Sequence, residues 1–267
     1  MESRIRYHAT RLTRGAIRRS KVPGWQIFSS FLRGVITSLL NRNRRILVLN
    51  LAHRIDLNAL YVQHKYSSET NYFNAQVRKT KRRLEEFKQS STSIFWSSPS
   101  NIEQISGYIS RRFSEQSLKG LCMGSRSGEE QSLFAKNLPF SEIFGVELEA
   151  SANSIKNTII ADFHNLDMIS SCSQDFVYSN SHDQSNDIFR AIQEWLRLLK
   201  PSGFLFLEHS RSHGKLRVGS QDPCGIESEI LPFLFMVRFQ NQISLESILI
   251  PTQQYDDFHF IYIFKKF

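Results

Sequence analysis

Four short stretches hold residue types that could do chemistry. LCMGSRSGEE (121–130) runs from an apolar strand-like segment through a turn bearing Gly124 and Gly128 into a helix-like one. Glycine lets a backbone approach a ligand closely, and a helix N-terminus offers free N–H groups. Gly124, Ser125, Arg126 and Gly128 therefore read as a cradle for a nucleotide or adenosyl group, or as an ordinary strand-to-helix turn. Glu147 ends the next apolar run, 19 residues after Gly128, where a carboxylate can accept both hydroxyls of a ribose. Asp162 and Phe163 end the run after that, an acid for an adenine amino group and a ring for the face of the base. SNSHD (179–183) is the fourth stretch. Ser179 closes an apolar run, His182 is a candidate general base because imidazole titrates near neutrality, and Asp183 would orient it. His209 is a second candidate base, and His213 with the loop 214–225 could form a substrate lid. Each residue alone also reads as a surface acid, a helix cap or a substrate-positioning group. A glycine turn and two acids at the ends of successive strands are harder to obtain by chance.

The elements that must position these residues show in the hydropathy pattern. GLCM (120–123), IFGVEL (143–148), TIIA (158–161), DFVYS (175–179) and FLFLEH (204–209) read as strands, with a helix over 187–199. Strand–helix alternation of this kind implies a parallel sheet covered on both faces. ISLESILI (243–250) and FHFIYIF (258–264) read as a closing antiparallel pair at the sheet edge. Upstream, 101–113 reads as a helix, with Ser100 and Glu103 at capping-box spacing, preceded by a Ser-rich linker over 90–100. The boundaries drawn are a basic, mainly helical N-terminal extension, 1–100, and a second domain, 101–267.

The extension stands apart by charge. The chain carries 34 Lys and Arg against 25 Asp and Glu, net +9. Residues 1–90 hold 19 basic and 5 acidic side chains, net +14, and residues 91–267 hold 15 and 20, net −5. Such asymmetry suggests an anionic partner for one half. Residues 25–40 are an amphipathic helix by periodicity, flanked by arginines: a helix lying on an anionic membrane surface, or one packed on its own domain. ILVLNLAHRI (46–55) fits a short strand or a buried helix. The helix 74–89 carries Arg78, Lys79, Lys81, Arg82 and Arg83, a nucleic-acid or lipid contact or a solvated face. No signal peptide or spanning helix is expected. Three scattered cysteines give neither a disulfide framework nor a zinc spacing, so no metal is expected, and a reducing cytoplasm is the plain reading.

Residues 118–210 resemble the class I S-adenosylmethionine-dependent methyltransferases, in particular the small bacterial group with a generic methyltransferase domain. The matching pieces run in order: LCMGSRSG, GVEL, ADFHNLD, QDFVYSNSHDQS and EWLRLLKPSGFLFLEH. The last is the most specific, with Lys200, Pro201 and Gly203 just before a hydrophobic strand. The resemblance implies a Rossmann-like, seven-stranded, mostly parallel sheet whose last strand is antiparallel, and S-adenosyl-L-methionine as cofactor. It implies cofactor-binding roles for Gly124, Ser125, Arg126, Gly128, Glu147, Asp162, Phe163 and Ser179. Two positions depart from the pattern. Cys122 stands where the family has an acid, and Arg126 where it has glycine, so Arg126 either pairs with the cofactor carboxylate or points to solvent.

The expected function is methyl transfer from S-adenosylmethionine to an acceptor such as a sugar or lipid-linked intermediate. The expected location is cytoplasmic, peripheral to the membrane through residues 1–50. The alternatives are a partner-docking module without turnover, and an RNA methyltransferase served by the basic N-terminus. The glycine turn lacks the Lys-Ser/Thr of a phosphate-binding loop, and the sequence has no GxSxG elbow.

Overall fold

The computed structural model describes residues 60–90, 97–113 and 117–267. All of them fall in one compact unit, Asn58–Phe267. The amphipathic segment 25–40, the segment 46–55 and most of the Ser-rich stretch before residue 97 lie outside the described residues. Strand β1 (Tyr61–Gln63) is followed by helix α1 (Glu69–Ser90) and helix α2 (Pro99–Arg112). Then come β2 (Lys119–Met123), α3 (Glu129–Asn137), β3 (Glu142–Glu147), β4 (Thr158–Ile160) and β5 (Gln174–Ser179). Helix α4 (Ile188–Leu198), β6 (Leu199–His209), β7 (Cys224–Ile226), α5 (Leu231–Arg238), β8 (Ile243–Leu249) and β9 (Phe260–Lys266) complete the chain.

The main sheet has seven strands in the order β4-β3-β2-β5-β6-β9-β8. β2 pairs in parallel with β3 and β5, β3 with β4, and β5 with β6; β9 runs antiparallel to both β6 and β8. The last strand is therefore the reversed one, and it lies inside the sheet with β8 at the edge. Every residue of β5 is buried, as a central strand covered on both faces requires. Ile102, Ile105 and Ile109 of α2 and Phe134 of α3 pack with Cys122, Tyr178 and Phe206 on one face. Helix α4 buries Ile188, Ala191, Ile192, Trp195, Leu196 and Leu198, a stripe of helical period, and Asp187 caps it by accepting from Arg190 N.

The Lys-Pro-Ser-Gly segment lies inside β6, where the register with β5 shifts between Gln174↔Leu199 and Phe176↔Phe204. Lys200 pairs with Asp175 at 2.8 Å, Ser202 adopts φ 66°, and a Cβ on Gly203 would meet Asp175 O at 3.0 Å. The cap of α2 is Ser98, whose hydroxyl accepts from Asn101 N, and not Ser100 as the capping-box spacing suggested. Pro99 explains the shift, since its fixed φ and missing N–H suit the first helical position. Three elements escaped the sequence reading: β1 and β7, which pair with each other antiparallel over three residues, and α5. Helix α1 and β1, read as part of the extension, belong to the same compact unit as the sheet.

Candidate active site

The strand order reverses between β2 and β5, with β3 and β4 on one side and β6 on the other. In an open α/β sheet, ligands sit outside the carboxyl ends of the strands at such a switch point. The glycine turn lies there. Gly124 and Gly128 have φ of 74° and 81°, and Arg126 between them has φ 42°. A Cβ on Gly124 would fall 2.7 Å from Ser181 Cβ, so the turn abuts the segment that follows β5. The turn is anchored to β3: Gly124 N and Ser125 N donate to Val146 O at 2.9 and 3.2 Å, and Arg126 N donates to Glu147 Oε2 at 3.0 Å.

Both strand-end acids stand where the sequence placed them. Glu147 is 6% exposed, and its Oε1 accepts from Leu148 N, Glu149 N and Thr80 Oγ1 at 2.8, 3.3 and 3.3 Å. The long Thr80 bond, from α1, is the one a ligand hydroxyl would replace most easily. Asp162 Oδ1 accepts from the backbone N and the ring Nδ1 of His164 at 3.0 and 2.6 Å, while no hydrogen bond from a described residue reaches Oδ2. Burial pushes the Asp162 carboxyl up, but the His164 contacts outweigh it and hold it below its ordinary range. His164 Nε2 meets Ser185 Oγ at 2.7 Å. His164 went unread in the sequence, although Asp-x-His in ADFH was a usable signal. Phe163 is half-buried, edge-on to Trp195 at 5.5 Å and tilted against His164 at 4.6 Å.

Helix α1 roofs this end of the sheet. Tyr72, Gln76 and Thr80 recur every four residues, lie on one face and are buried. The Tyr72 ring stands edge-on to His164 at 5.8 Å, and burial first, then the Asp162 carboxylate, push its phenol far above its ordinary value. Lys79 Nζ bonds Asp222 Oδ1 at 2.5 Å and Gln221 O at 3.1 Å, and Tyr66 OH donates to Ser220 O at 2.7 Å. The loop expected to act as a lid is thus tied down by β1, α1 and the residues between them. Of the basic run, Lys79 is buried in this contact, and Arg82 and Arg83 pair with Glu86.

SNSHD occupies the far wall. Ser179 is fully buried; its Oγ donates to Met123 O at 3.2 Å and accepts from Ser181 N at 3.0 Å, tying β5 to β2. His182 and Asp183 lie in a single 3₁₀ turn, His182–Gln184, whose successive side chains point about 120° apart. They diverge accordingly. His182 Nε2 meets His209 Nδ1 at 2.7 Å, and Asp183 Oδ1 instead lies 4.0 Å from His213 Nε2. His182, His209 and His213 form a triangle of rings with centroids 5.0–5.1 Å apart. His209, not Asp183, orients His182.

Unpartnered buried atoms mark where a ligand's polar groups would go. Asn180 Nδ2 and His182 Nδ1 after β5, and Gln76 Oε1 in the roof, lack a hydrogen-bond partner among the described residues, whereas Ser125 Oγ, also unpartnered, turns onto Gly145 of β3. With Asp162 Oδ2 they offer the mixed donors and acceptors an adenosyl cofactor needs, so the residues fit that group. Arg126 is half-buried, and its guanidinium opposes the burial that pushes the Glu130 carboxyl up to about 7. Among the described residues no group of three or more His, Cys, Asp or Glu side chains is placed to hold a metal ion. None of their helices is long and apolar enough to cross a membrane.

No family model and no curated protein matches the sequence. Solved structures do match the fold. One is the 1,6-didemethyltoxoflavin-N1-methyltransferase of Burkholderia thailandensis, with bound 1,6-didemethyltoxoflavin and S-adenosylhomocysteine. The match has 12% identity over 77% of this chain and 92% of that one, and a TM-score of 0.56. Another is the plantazolicin methyltransferase BamL in complex with a triazolic desmethylPZN analog and S-adenosylhomocysteine, with 14% identity over 74% and 96% and a TM-score of 0.53. A third, the [4+2]-cyclase SpnF, shares 13% identity over 76% and 97%, with a TM-score of 0.50. The chain has the class I S-adenosylmethionine-dependent methyltransferase fold. One of these neighbours is a cyclase, so the fold does not by itself fix the reaction.

Proposed function

We propose that this chain binds S-adenosylmethionine at the β2–β5 switch point and transfers its methyl group to a small molecule. The observation that carries this reading is the alignment of the glycine turn, buried Glu147 and half-open Asp162 at three successive strand ends, facing unpartnered buried polar atoms. Glu147 and Asp162 hold the nucleoside: ribose hydroxyls displace Thr80 from Glu147, and the adenine amino group donates to Asp162 Oδ2. Gly124, Ser125, Arg126 and Gly128 shape the cradle around the methionine end. Phe163 walls the adenine side, and Ser179 acts indirectly by fixing the strand ends. The cofactor supplies a sulfonium-activated methyl group. The chain's own work is to align an acceptor in line with it, exclude water and take a proton. His182 takes that proton. Asp183, next to His213, shapes the substrate side of the wall.

The neighbours bind small molecules, which supports an acceptor of that kind. The sugar- or lipid-linked, membrane and RNA expectations rested on the basic N-terminus, most of which lies outside the described residues. The test is transfer of labelled methyl from S-adenosylmethionine to a panel of small acceptors by the full chain. His182→Ala should bind S-adenosylhomocysteine as the parent does and lose turnover by about 10²-fold or more. Unchanged turnover removes His182 from the mechanism.

A further inference from the structure

The proton on each ring of the histidine triangle follows from the groups at its ends. Ile226 O can only accept, and it lies 3.0 Å from His209 Nε2, so that nitrogen carries the hydrogen. Burial first, then His213 and His182, hold His209 well below its ordinary value, so the ring is neutral and its Nδ1 is a lone pair. That lone pair faces His182 Nε2 at 2.7 Å, which makes His182 Nε2 the donor. Burial and His213 keep His182 neutral as well. Its Nδ1 is then a bare lone pair, buried and unpartnered among the described residues. His213 is fixed separately: Ser210 N–H donates to its Nδ1 at 2.9 Å, and its Nε2–H donates to Asn180 O at 3.0 Å.

The groups facing His182 are His209 from the end of β6, His213 from the following loop, and Asp183 on its own turn. Lys79 from α1 and Asp222 from the loop act on Asp183. No carboxylate hydrogen-bonds the His182 ring among the described residues. Asn180 Nδ2, two residues away, is the other unpartnered buried atom at this strand end. The segment abuts the glycine turn, since Ser181 Cβ blocks the space a Cβ on Gly124 would need.

We propose that His182 accepts the acceptor's proton at Nδ1, that His209 is the positioning residue that fixes this tautomer, and that the acceptor therefore carries an acidic O–H or N–H: a phenol, an enol or a heteroaromatic N–H. The proposal rests on the methyl-transfer reading above. In the step, the acceptor's oxygen or nitrogen lone pair forms the bond to the methyl carbon. The carbon–sulfur bond breaks with its electron pair going to sulfur. The acceptor's proton goes to His182 Nδ1, and the imidazolium later returns it to water. A buried imidazole flanked by two others, with no carboxylate bonded to it, is a weak base. It matches an acidic proton and not that of an aliphatic alcohol.

The test uses the full chain with ¹⁵N-labelled histidine. The parent should show His182 with a lone-pair Nδ1 and a protonated Nε2, neutral to well below pH 6.5. His209→Gln, which can still accept from His182 and donate to Ile226 O, should keep that tautomer. His209→Leu should lose it, with kcat for a catechol acceptor down about tenfold or more and the KM of S-adenosylmethionine little changed. A proton on Nδ1 in the parent, or equal kcat in the Leu and Gln variants, overturns the positioning role. Faster transfer to a methyl hexoside than to catechol or an N–H heterocycle overturns the acceptor class. The assigned tautomer without transfer to any of these probes counts against the methyl-transfer reading itself.

Discussion

At the scale of single residues, the site is held by side chains acting on the acids as much as by the acids. Asp162 has one oxygen locked and one open because His164 occupies Oδ1 twice, and His164 is itself 4% exposed and tied to Ser185. His164→Phe removes a donor from a charged acceptor and leaves the buried Ser185 hydroxyl without its ring partner. Urea unfolding should show a loss of about 1.5–3 kcal/mol. A loss under about 0.5 kcal/mol would mean the contact is incidental. The positions of the glycine turn, the two acids and the histidine at strand ends were legible in the sequence because they stand where apolar runs stop. The partners were not. Asp183 is next to His182 in sequence, yet a 3₁₀ turn sends neighbours in different directions, and the orienting group comes from His209, 27 residues on. Sequence adjacency carries no information about that contact.

At the scale of elements, helix α1 is where the reading of the sequence and the structure part most. Its arginines and lysines dominate the composition and suggest a solvated or anion-binding face. The face that matters is the sparser one, Tyr72, Gln76, Lys79 and Thr80, laid over the strand ends and the 214–225 loop. β1 and β7 were illegible for a related reason: three residues are too few for any period to show, and their pairing is a long-range event. The strands of the main sheet, by contrast, were read to within a residue or two of their ends, except β6, which begins five residues before the run read at 204–209 because its first residues include Pro201 and Gly203. If α1 clamps the loop through Lys79, then Lys79→Ala should loosen the loop backbone and let trypsin cut after Lys215 and Arg217. Cleavage there should rise about fivefold, the equivalent of roughly 1 kcal/mol of local opening. Mass spectrometry of the fragments checks it, and an unchanged rate would show that β1 and Tyr66 hold the loop without the lysine.

At the scale of the whole molecule, the site has a cost that pH reveals. His182 and His209 are buried and neutral, both depressed well below 6.5, chiefly by desolvation. Unfolded imidazoles titrate near that value, so below it the unfolded chain binds protons that the folded chain refuses. Stability is full above about pH 6.5 and falls as the pH drops toward the folded values. The slope is about 1.4 kcal/mol per pH unit for each ring. Denaturant midpoints between pH 7 and 5 should fall steeply in the parent and less so in His209→Leu. A flat profile would mean that the triangle opens to water. Glu208 acts at lower pH in the same direction. Burial pushes its carboxyl up, but hydrogen bonds from His259, Tyr178, Ser97 and Asn101 outweigh it and leave it below its ordinary value. Its contribution is lost only as the pH falls through that lowered value.

The central claim is that the switch point is a cofactor site, and calorimetric titration of S-adenosylmethionine and S-adenosylhomocysteine into the full chain tests it most directly. The expected result is binding with a Kd of about 1 μM, near −8 kcal/mol. It should be weakened at least tenfold in Asp162→Asn and lost in Glu147→Ala, with circular dichroism showing both variants folded. No heat of binding from the folded parent, or equal affinity in Asp162→Asn and Glu147→Ala, would contradict it.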